Sequence, residues 1–468
     1  MTRPPLADLV AARRLSWRPG IEALRGVAAL VVVFHHMWSL STQPHFPGYE
    51  IVEGFGTLGV NLFFLLSGYL LVDSFWGKRD LVTYWVRRFF RIAPAYYLVV
   101  TVLFLFFANH DLLFSPFGVR QVLANGTFTH YMFPETASSL NVDGALWTLT
   151  AEFMLYLLLP LMALPFARWP RLTFLTLCAI GVGWKLWIAL DGDWLRHLYF
   201  GENQFDLAIE SLYLARQFVG LVPIFALGIG LRYLEVTGRL DAIHRRLPSR
   251  MSVLVVVAVL VPPALSLFFI ERATQFRHWI WFTFFEYAMA VLLAAVVLTC
   301  ANPAWKAESL PTRIATWLGE RSYSLYILHF PIILSMYGRG PLERAPEMTH
   351  LVPRLVIILV LTVLGAHISY VLVERPGIAA GRSIVGRLKA RRTTSGSETP
   401  PPAAELAPLG RGTDLVVTSV AWSRTRHSQP FSRQLRRPHA PGGAPMCRPR
   451  RASGSGSRSP HQVSRTYR

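Results

Sequence analysis

The first residues able to do chemistry lie in RGVAALVVVFHH, where Arg25 and His36 stand eleven residues apart in an apolar run. At about 100° per residue, eleven residues make three helical turns plus about 20°, so the two side chains share one face, whereas His35 points about 80° away from Arg25. His36 would lie roughly 16 Å deeper than Arg25. An imidazole can take a proton from a hydroxyl nucleophile; the alternative is a histidine hydrogen-bonded between helices.

Three arginines in WVRRFFRIAPAYY form a second group, Arg87, Arg88 and Arg91. Guanidinium groups pair with phosphate oxygens, so this segment predicts a site for an anionic, phosphate-bearing cosubstrate. The alternative is that the charges only set the orientation of the chain in a membrane.

Glu152 stands inside the apolar stretch LWTLTAEFMLY. A carboxylate there requires a partner, and we expect His36 or an arginine. Pairing with His36 would orient the imidazole and make it more basic; the alternative is a structural ion pair.

Two further stretches carry polar residues among apolar ones. Ser67 and Gly68 favour close helix packing. In SYSLYILHFP, Tyr326 and His329 share a helix face. Glu374, near the end of the last apolar stretch, is interpreted as a structural anchor.

The composition indicates the fold that must position these residues. Of 468 residues, 52% are hydrophobic and only 16% are charged. Soluble domains carry about 25% charged residues, so this chain is unusually apolar. Apolar runs of membrane-spanning length recur, and we predict an all-α polytopic membrane protein. Its ten predicted spans are 24–41, 56–74, 94–109, 145–165, 172–190, 216–233, 251–270, 278–300, 322–338 and 351–373.

Charge divides the chain into segments. Of the net charge of +20, about +14 belongs to residues 381–468. Most of the positive charge therefore lies outside the folded body and does not indicate a nucleic-acid-binding surface there. We predict a cytoplasmic segment over 1–20, a transmembrane domain over 21–378 and a disordered Arg/Ser/Pro-rich tail over 379–468. Lys and Arg concentrate in alternate loops, which predicts both termini in the cytoplasm. The predicted loop arginines include Arg87, Arg88, Arg91, Arg232 and Arg321. The three cysteines have no metal-binding or disulfide spacing, and no metal site is predicted.

The order of these motifs resembles the membrane acyltransferase-3 family, bacterial O-acyltransferases that modify cell-surface polysaccharides and related acceptors. The resemblance covers about residues 20–377. It implies an inner-membrane enzyme that moves an acyl group, typically acetyl, from acyl-CoA as cosubstrate to a hydroxyl of a carbohydrate or lipid-linked acceptor, with no permanently bound cofactor.

The resemblance also assigns roles to residues. His36 matches the catalytic histidine, as general base or transient acyl carrier, and Arg25 its helper. Arg88 and Arg91 match the segment that engages acyl-CoA. Glu152 matches an acidic position expected to tune His36, although the following Phe-Met departs from the more polar family pattern.

A membrane transporter is the alternative function. It would use the same charged residues as a substrate or proton path. Such proteins often contain internal repeats and matched broken helices, and the sequence shows neither pattern.

Overall fold

Long apolar helices make up most of the chain. The computed structural model describes residues 5–13, 18–41, 49–77, 80–137, 145–201, 207–246, 279–336 and 351–395, which all belong to one unit, Met1–Thr399. No strand occurs within these ranges. The helices are α1 (Leu6–Ala12), α2 (Pro19–Ser41), α3 (Tyr49–Leu71), α4 (Asp73–Trp76), α5 (Leu81–Phe106), α6 (His110–Leu113), α7 (Pro116–Gly126), α8 (Pro134–Ala137), α9 (Trp147–Arg168), α10 (Pro170–Asp191), α11 (Asp193–Phe200), α12 (Leu207–Ala215), α13 (Phe218–Val236), α14 (Asp241–Arg246), α15 (Trp279–Cys300), α16 (Leu310–Glu320), α17 (Ser322–Met336), α18 (Leu351–Ser369) and α19 (Arg375–Ser395). A 3-10 turn spans His130–Met132, and a π-helical turn, Tyr370–Glu374, joins α18 to α19.

The membrane spans agree with the predicted class. Among the described residues, eight helices are long and apolar enough to cross a bilayer, and the shorter apolar helix α17 is a ninth candidate. Each of the nine predicted spans that falls on described residues overlaps one of these helices. The tenth, 251–270, lies outside the described residues. The all-α, polytopic fold class is therefore confirmed.

The third span differs from its predicted bounds. The rise in hydropathy predicts a start at residue 94, but α5 begins at Leu81. Asp80 caps it: the backbone N–H of Thr83 donates to Asp80 Oδ1 at 3.0 Å and the Thr83 hydroxyl donates to Oδ2 at 2.5 Å.

Five arginines predicted in loops are therefore in or beside helices. Arg87, Arg88 and Arg91 lie in the second and third turns of α5, Arg232 lies within α13, and Arg321 follows the last residue of α16. Arg232 and Arg321 are also buried. These five residues therefore cannot be counted as loop charges when the orientation of the chain in the membrane is inferred.

The last helix corrects a domain boundary. The sequence predicts a disordered tail from residue 379, yet α19 continues to Ser395. This helix packs closely on α5, because a Cβ on Gly377 would lie 2.7 Å from the carbonyl oxygen of Phe90 and one on Gly381 would lie 2.8 Å from Phe90 Cβ. Tertiary packing therefore holds a segment that its polar composition alone would leave unfolded. Residues 396–468 lie outside the described residues.

Close packing of α3 against α13 forms the centre of the bundle. A Cβ on Gly68 would lie 2.2 Å from the carbonyl oxygen of Phe225, and one on Gly228 would lie 2.0 Å from that of Leu65. Only glycine allows the two backbones to approach this closely. Gly68 is thus a packing residue, as the sequence predicts.

A buried ionic cluster joins the ends of α2, α3, α4 and α13. Arg232 donates to both oxygens of Asp73, from Nε at 2.9 Å and Nη2 at 2.7 Å, and from Nη1 to Glu235 at 2.8 Å. Glu235 also pairs with Arg18 at 2.5 Å and accepts the Tyr69 hydroxyl at 2.5 Å. We call these five residues the Arg232 network.

Candidate active site

One cavity brings together four of the five residues predicted for the site. It has a volume of about 190 Å³ and lies between α2, α3, α5, α9 and α17. Arg25, Arg88, Arg91 and Glu152 all line it. We call this cavity the arginine pocket.

The three arginines differ in how they are neutralised. Arg25 Nη1 lies 3.1 Å from Glu22 Oε2, one turn earlier on α2, and its side chain is 14% exposed. Within the described part of the chain, Arg88 and Arg91 form neither a salt bridge nor a hydrogen bond. Two guanidinium groups in a largely apolar pocket are suited to an anion that enters from outside.

Glu152 has different partners from those expected. The Ser67 hydroxyl donates to Glu152 Oε1 at 2.7 Å, and the Tyr156 hydroxyl donates to the same oxygen. The expected pair with His36 does not form, because Glu152 faces the last turns of α3 while His36 lies near the far end of α2. Glu152 orients two hydroxyl groups on the pocket wall instead.

His36 lies outside the arginine pocket and is paired with a second histidine. Its Nδ1 lies 3.1 Å from the carbonyl oxygen of Val32 and 3.1 Å from His329 Nε2. The His329 side chain is fully buried, and its ring centroid lies 5.7 Å from that of Tyr326, which lines the pocket. Tyr326 therefore stands between the pocket and the histidine pair.

His35 occupies different surroundings. A Cβ on Gly56 of α3 would lie 2.4 Å from Cδ2 of the His35 ring, so only glycine leaves space for this ring at that position. His35 packs towards α3 while His36 bonds to α17, which agrees with the angular separation expected from helix geometry.

Several pocket residues were not predicted as part of the site. Glu22 pairs with Arg25; Ser67 and Tyr156 bind Glu152. Tyr156 follows Glu152 by four residues, so helical spacing could have predicted the contact between these two side chains.

Glu374, which the sequence predicts as an anchor, lies close to the same charges. It is 1% exposed and accepts the Ser324 hydroxyl at 2.9 Å. It also lies within electrostatic range of Arg91 and Arg25. Glu374 therefore lies near the charged groups of the pocket without pairing directly with either arginine.

The arrangement has two parts with different chemistry. The arginine pocket offers positive charge and oriented hydroxyls, which suit a phosphate-bearing molecule. The histidine pair offers an imidazole nitrogen that can accept a proton or an acyl group. In the described ranges, no three His, Cys, Asp or Glu side chains are grouped so that they could hold a metal ion.

Comparison with known proteins identifies related sequences. The acyltransferase 3 model, described as an acyltransferase domain, matches residues 18–372. The chain is 23% identical over 336 residues to the peptidoglycan O-acetyltransferase OatA of Listeria monocytogenes, covering 67% of this chain and 49% of the relative. It is 28% identical over 384 residues to the O-acetyltransferase OatA of Staphylococcus aureus, covering 76% of this chain and 57% of the relative.

A third relative is viral. The chain is 26% identical over 319 residues to a putative acetyltransferase, ORF330, of Acidianus two-tailed virus, covering 67% of this chain and 83% of the relative. The chain thus spans only about half the length of the OatA proteins. No solved structure matches it.

Proposed function

Because this chain belongs to the acyltransferase 3 family, we propose that it is an integral-membrane O-acyltransferase that moves an acetyl group from an activated donor to a hydroxyl of a cell-envelope carbohydrate. One observation carries the proposal: two arginines that bind no described carboxylate face a pocket beside a histidine pair, of which His329 is fully buried. The relatives named as peptidoglycan O-acetyltransferases support a glycan acceptor.

Arg88 and Arg91 are the proposed contacts for donor phosphate. Each guanidinium can donate two parallel N–H bonds to phosphate oxygens, and the apolar surroundings strengthen such bonds. Arg25 is already bound by Glu22, so we assign it to positioning at the pocket mouth.

The distance between the two parts favours an extended donor. Arg25 and His36 lie on one continuous helix, α2. Their separation of eleven residues corresponds to about 16 Å along the helix axis. A donor whose phosphates contact the arginines must carry its acyl group on an arm of comparable length to reach His36. Acyl-CoA has such an arm, and it is our proposed donor.

The size of the arginine pocket agrees with such a donor. The pocket has a volume of about 190 Å³. Cavities that enclose a whole drug-sized ligand are larger, so this one is suited to part of an acyl-CoA molecule, with the remainder outside.

The contacts of His36 favour one tautomer. The Val32 carbonyl can only accept, so the 3.1 Å contact places a proton on Nδ1 of His36. His329 Nε2 then accepts from the same N–H, and the proton of the neutral His329 ring is on its Nδ1. This leaves the Nε2 lone pair of His36 available for chemistry, and His329 is a positioning residue.

The proposed reaction is a balanced acyl transfer. Nε2 of His36 takes the proton of the acceptor hydroxyl while the oxygen attacks the thioester carbonyl. The C–O bond forms, the C–S bond breaks, and the proton passes from His36 to the leaving thiolate. The products are an O-acyl ester and free coenzyme thiol. The reaction requires a site that excludes water, because water competes with the acceptor hydroxyl for the acyl group.

Location and orientation complete the proposal. We propose an inner-membrane protein with both termini in the cytoplasm, which gives the arginine pocket access to a cytoplasmic donor and places His36 nearer the opposite face.

The test follows labelled acetyl groups into envelope glycan. Membrane vesicles that contain the full chain receive ¹⁴C-labelled acetyl-CoA, and alkali-labile label in glycan is counted. Loss of a general base typically reduces rates by about 10²- to 10⁴-fold, so His36→Ala should lose at least about 100-fold. His35→Ala, at equal expression, is the matched control and should retain transfer.

Two results would overturn the proposal. Equal transfer by His36→Ala and the parent would remove His36 from the mechanism. No transfer from any acyl donor, together with build-up of a solute gradient across the vesicles, would indicate a transporter.

A further inference from the structure

A second cavity lies on the outside of the bundle, away from the arginine pocket. It is a groove of about 760 Å³ where α9 ends, α10 begins and the last turns of α13 pass by. Its floor is apolar and includes Phe166, Phe174, Leu227 and Leu231. No part of the proposed transfer reaction uses this groove.

Three arginines surround the groove, and no carboxylate of the described residues lines it. They are Arg168, Arg171 and Arg239, and all three are exposed. Arg168 Cζ lies 5.0 Å from the ring centroid of Trp169, and Arg239 Cζ lies 5.8 Å from that of Tyr233. Among the described residues none of the three arginines forms a salt bridge. The rim therefore carries about three uncompensated positive charges.

The groove lies at the level where a bilayer changes from headgroups to acyl chains. Arg168 is the last residue of one candidate span, Arg171 is the second residue of the next, and Arg239 follows the end of a third. The floor residue Gly230 lies within α13, which ends at Val236. Six residues of helix place it about 9 Å deeper than that end. Charge thus surrounds the mouth, while the apolar floor extends towards the hydrocarbon region.

Gly230 leaves the floor of the groove open. The atoms nearest to a Cβ there would be in the rings of Phe166 and Phe174, both at about 3.8 Å, which is ordinary contact distance. A larger side chain at this position would project into the space above the floor without disturbing the helix backbone.

We propose that this groove binds one anionic glycerophospholipid. Its phosphate contacts the three arginines, and one acyl chain lies along the floor beside Gly230. Basic pockets between helices at a membrane boundary bind such headgroups, and Trp169 occupies the interfacial level that tryptophan prefers. A zwitterionic lipid offers no net charge to the rim, and free phosphate has no chain for the floor.

The experiment measures stabilisation of the full chain by added lipid. Purified protein in neutral detergent is titrated with phosphatidylglycerol or with phosphatidylcholine of identical chains, and the unfolding midpoint is recorded. We expect phosphatidylglycerol to raise the midpoint by several degrees and phosphatidylcholine to leave it unchanged.

Two variants and one matched control locate the effect. The triple variant Arg168→Gln, Arg171→Gln, Arg239→Gln should lose the rise, and Gly230→Phe, which keeps every charge, should lose at least half of it. The control removes three exposed arginines that lie outside the groove, Arg245→Gln, Arg246→Gln and Arg313→Gln, and should keep the full rise.

Three outcomes would overturn the proposal. Equal loss in the control would indicate general attraction between basic protein and acidic lipid. An equal rise with phosphatidylcholine would remove the role of the arginines. An equal rise with inorganic phosphate, unaffected by Gly230→Phe, would indicate an ion site rather than a lipid site.

Discussion

The Arg232 network and the arginine pocket both place arginines inside the bundle, but they differ in how these charges are balanced. In the network, Arg232 is fully buried and donates three bonds to the carboxylates of Asp73 and Glu235. In the pocket, Arg88 and Arg91 bind no described carboxylate. The charge of Arg232 is balanced by carboxylates that bind it, whereas the charges of Arg88 and Arg91 are not balanced in this way.

The difference indicates separate roles. Burial of a charge is costly unless it is paired, so a saturated cluster can be retained for structure alone. Arginines without a paired carboxylate lower stability, and they are retained where a ligand supplies the missing negative charge. The network therefore joins helix ends, while the pocket is prepared for an anion.

Removal of the central charge of the network should produce the largest effect on stability. Arg232→Gln leaves Asp73 without its arginine and removes one of the two arginines paired with Glu235. Removal of one partner from a buried ion pair costs about 3–5 kcal/mol. We expect a lower unfolding midpoint in detergent and a lower yield of folded protein. The exposed residue Arg246 provides a control, and Arg246→Gln should behave as the parent.

A second substitution distinguishes charge from packing. If the cost arises from unpaired carboxylates, Asp73→Asn added to Arg232→Gln should recover part of the midpoint. A single variant as stable as Arg246→Gln would show that the network does not contribute as its geometry suggests.

Substitutions in the arginine pocket should weaken donor binding without lowering stability. A hydrogen bond to a charged group contributes about 1.5–3 kcal/mol, so Arg88→Gln or Arg91→Gln should raise the KM for the acyl donor about 10- to 100-fold. The unfolding midpoint should not fall, because neither side chain has a described partner to lose.

Arg87 is the matched control for this prediction. It is adjacent to Arg88 in sequence, is exposed and does not line the pocket. Arg87→Gln should leave the KM unchanged. An equal increase in all three variants would point to general attraction of an anionic donor rather than to a site in the pocket.

Helix-level features were predictable from sequence because they depend on local patterns. Apolar length indicated the spans, and helical phase separated His35 from His36. Hydropathy placed the start of α5 too late, since the cap at Asp80 and the polar first turns do not raise an apolar average. The continuation of α19 was missed because its stability depends on packing against α5.

Contacts between helices distant in sequence were less predictable. Charge alone suggested a histidine or arginine partner for Glu152, but its position on α9 brings it to Ser67 of α3. His36 and His329 are separated by 293 residues, and no local pattern indicates their 3.1 Å contact. The sequence showed that each residue required a partner, while the packing of the helices determined which partner it has.

The buried histidine His130 tests separately whether an unpaired charge is costly inside this bundle. His130 lies in the short turn between α7 and α8, outside the spans, with Nδ1 3.1 Å from the Thr150 hydroxyl and 3.4 Å from that of Tyr96. Both of these partners are neutral. Burial lowers the pKa of His130 to about 4. In an unfolded chain the pKa of a histidine is about 6.5.

The sign of the pH effect follows from this lowered pKa. Between about pH 6.5 and pH 4 the unfolded chain binds a proton at His130 while the folded chain does not, so stability falls as pH falls through this range. The expected loss is about 2 kcal/mol between pH 7 and pH 5. His130→Gln should remove this part of the pH dependence, measured as unfolding midpoints at the two pH values.

The exposed residue His110 supplies the control. His110→Gln removes a histidine from the same segment between α5 and α9 without changing a buried group. That variant should keep the pH dependence of the parent. If His130→Gln also keeps it, the buried turn accommodates a charged imidazole without a counter-charge. The contrast between the network and the arginine pocket would then lose its physical basis, since unpaired charge would not be costly inside this bundle.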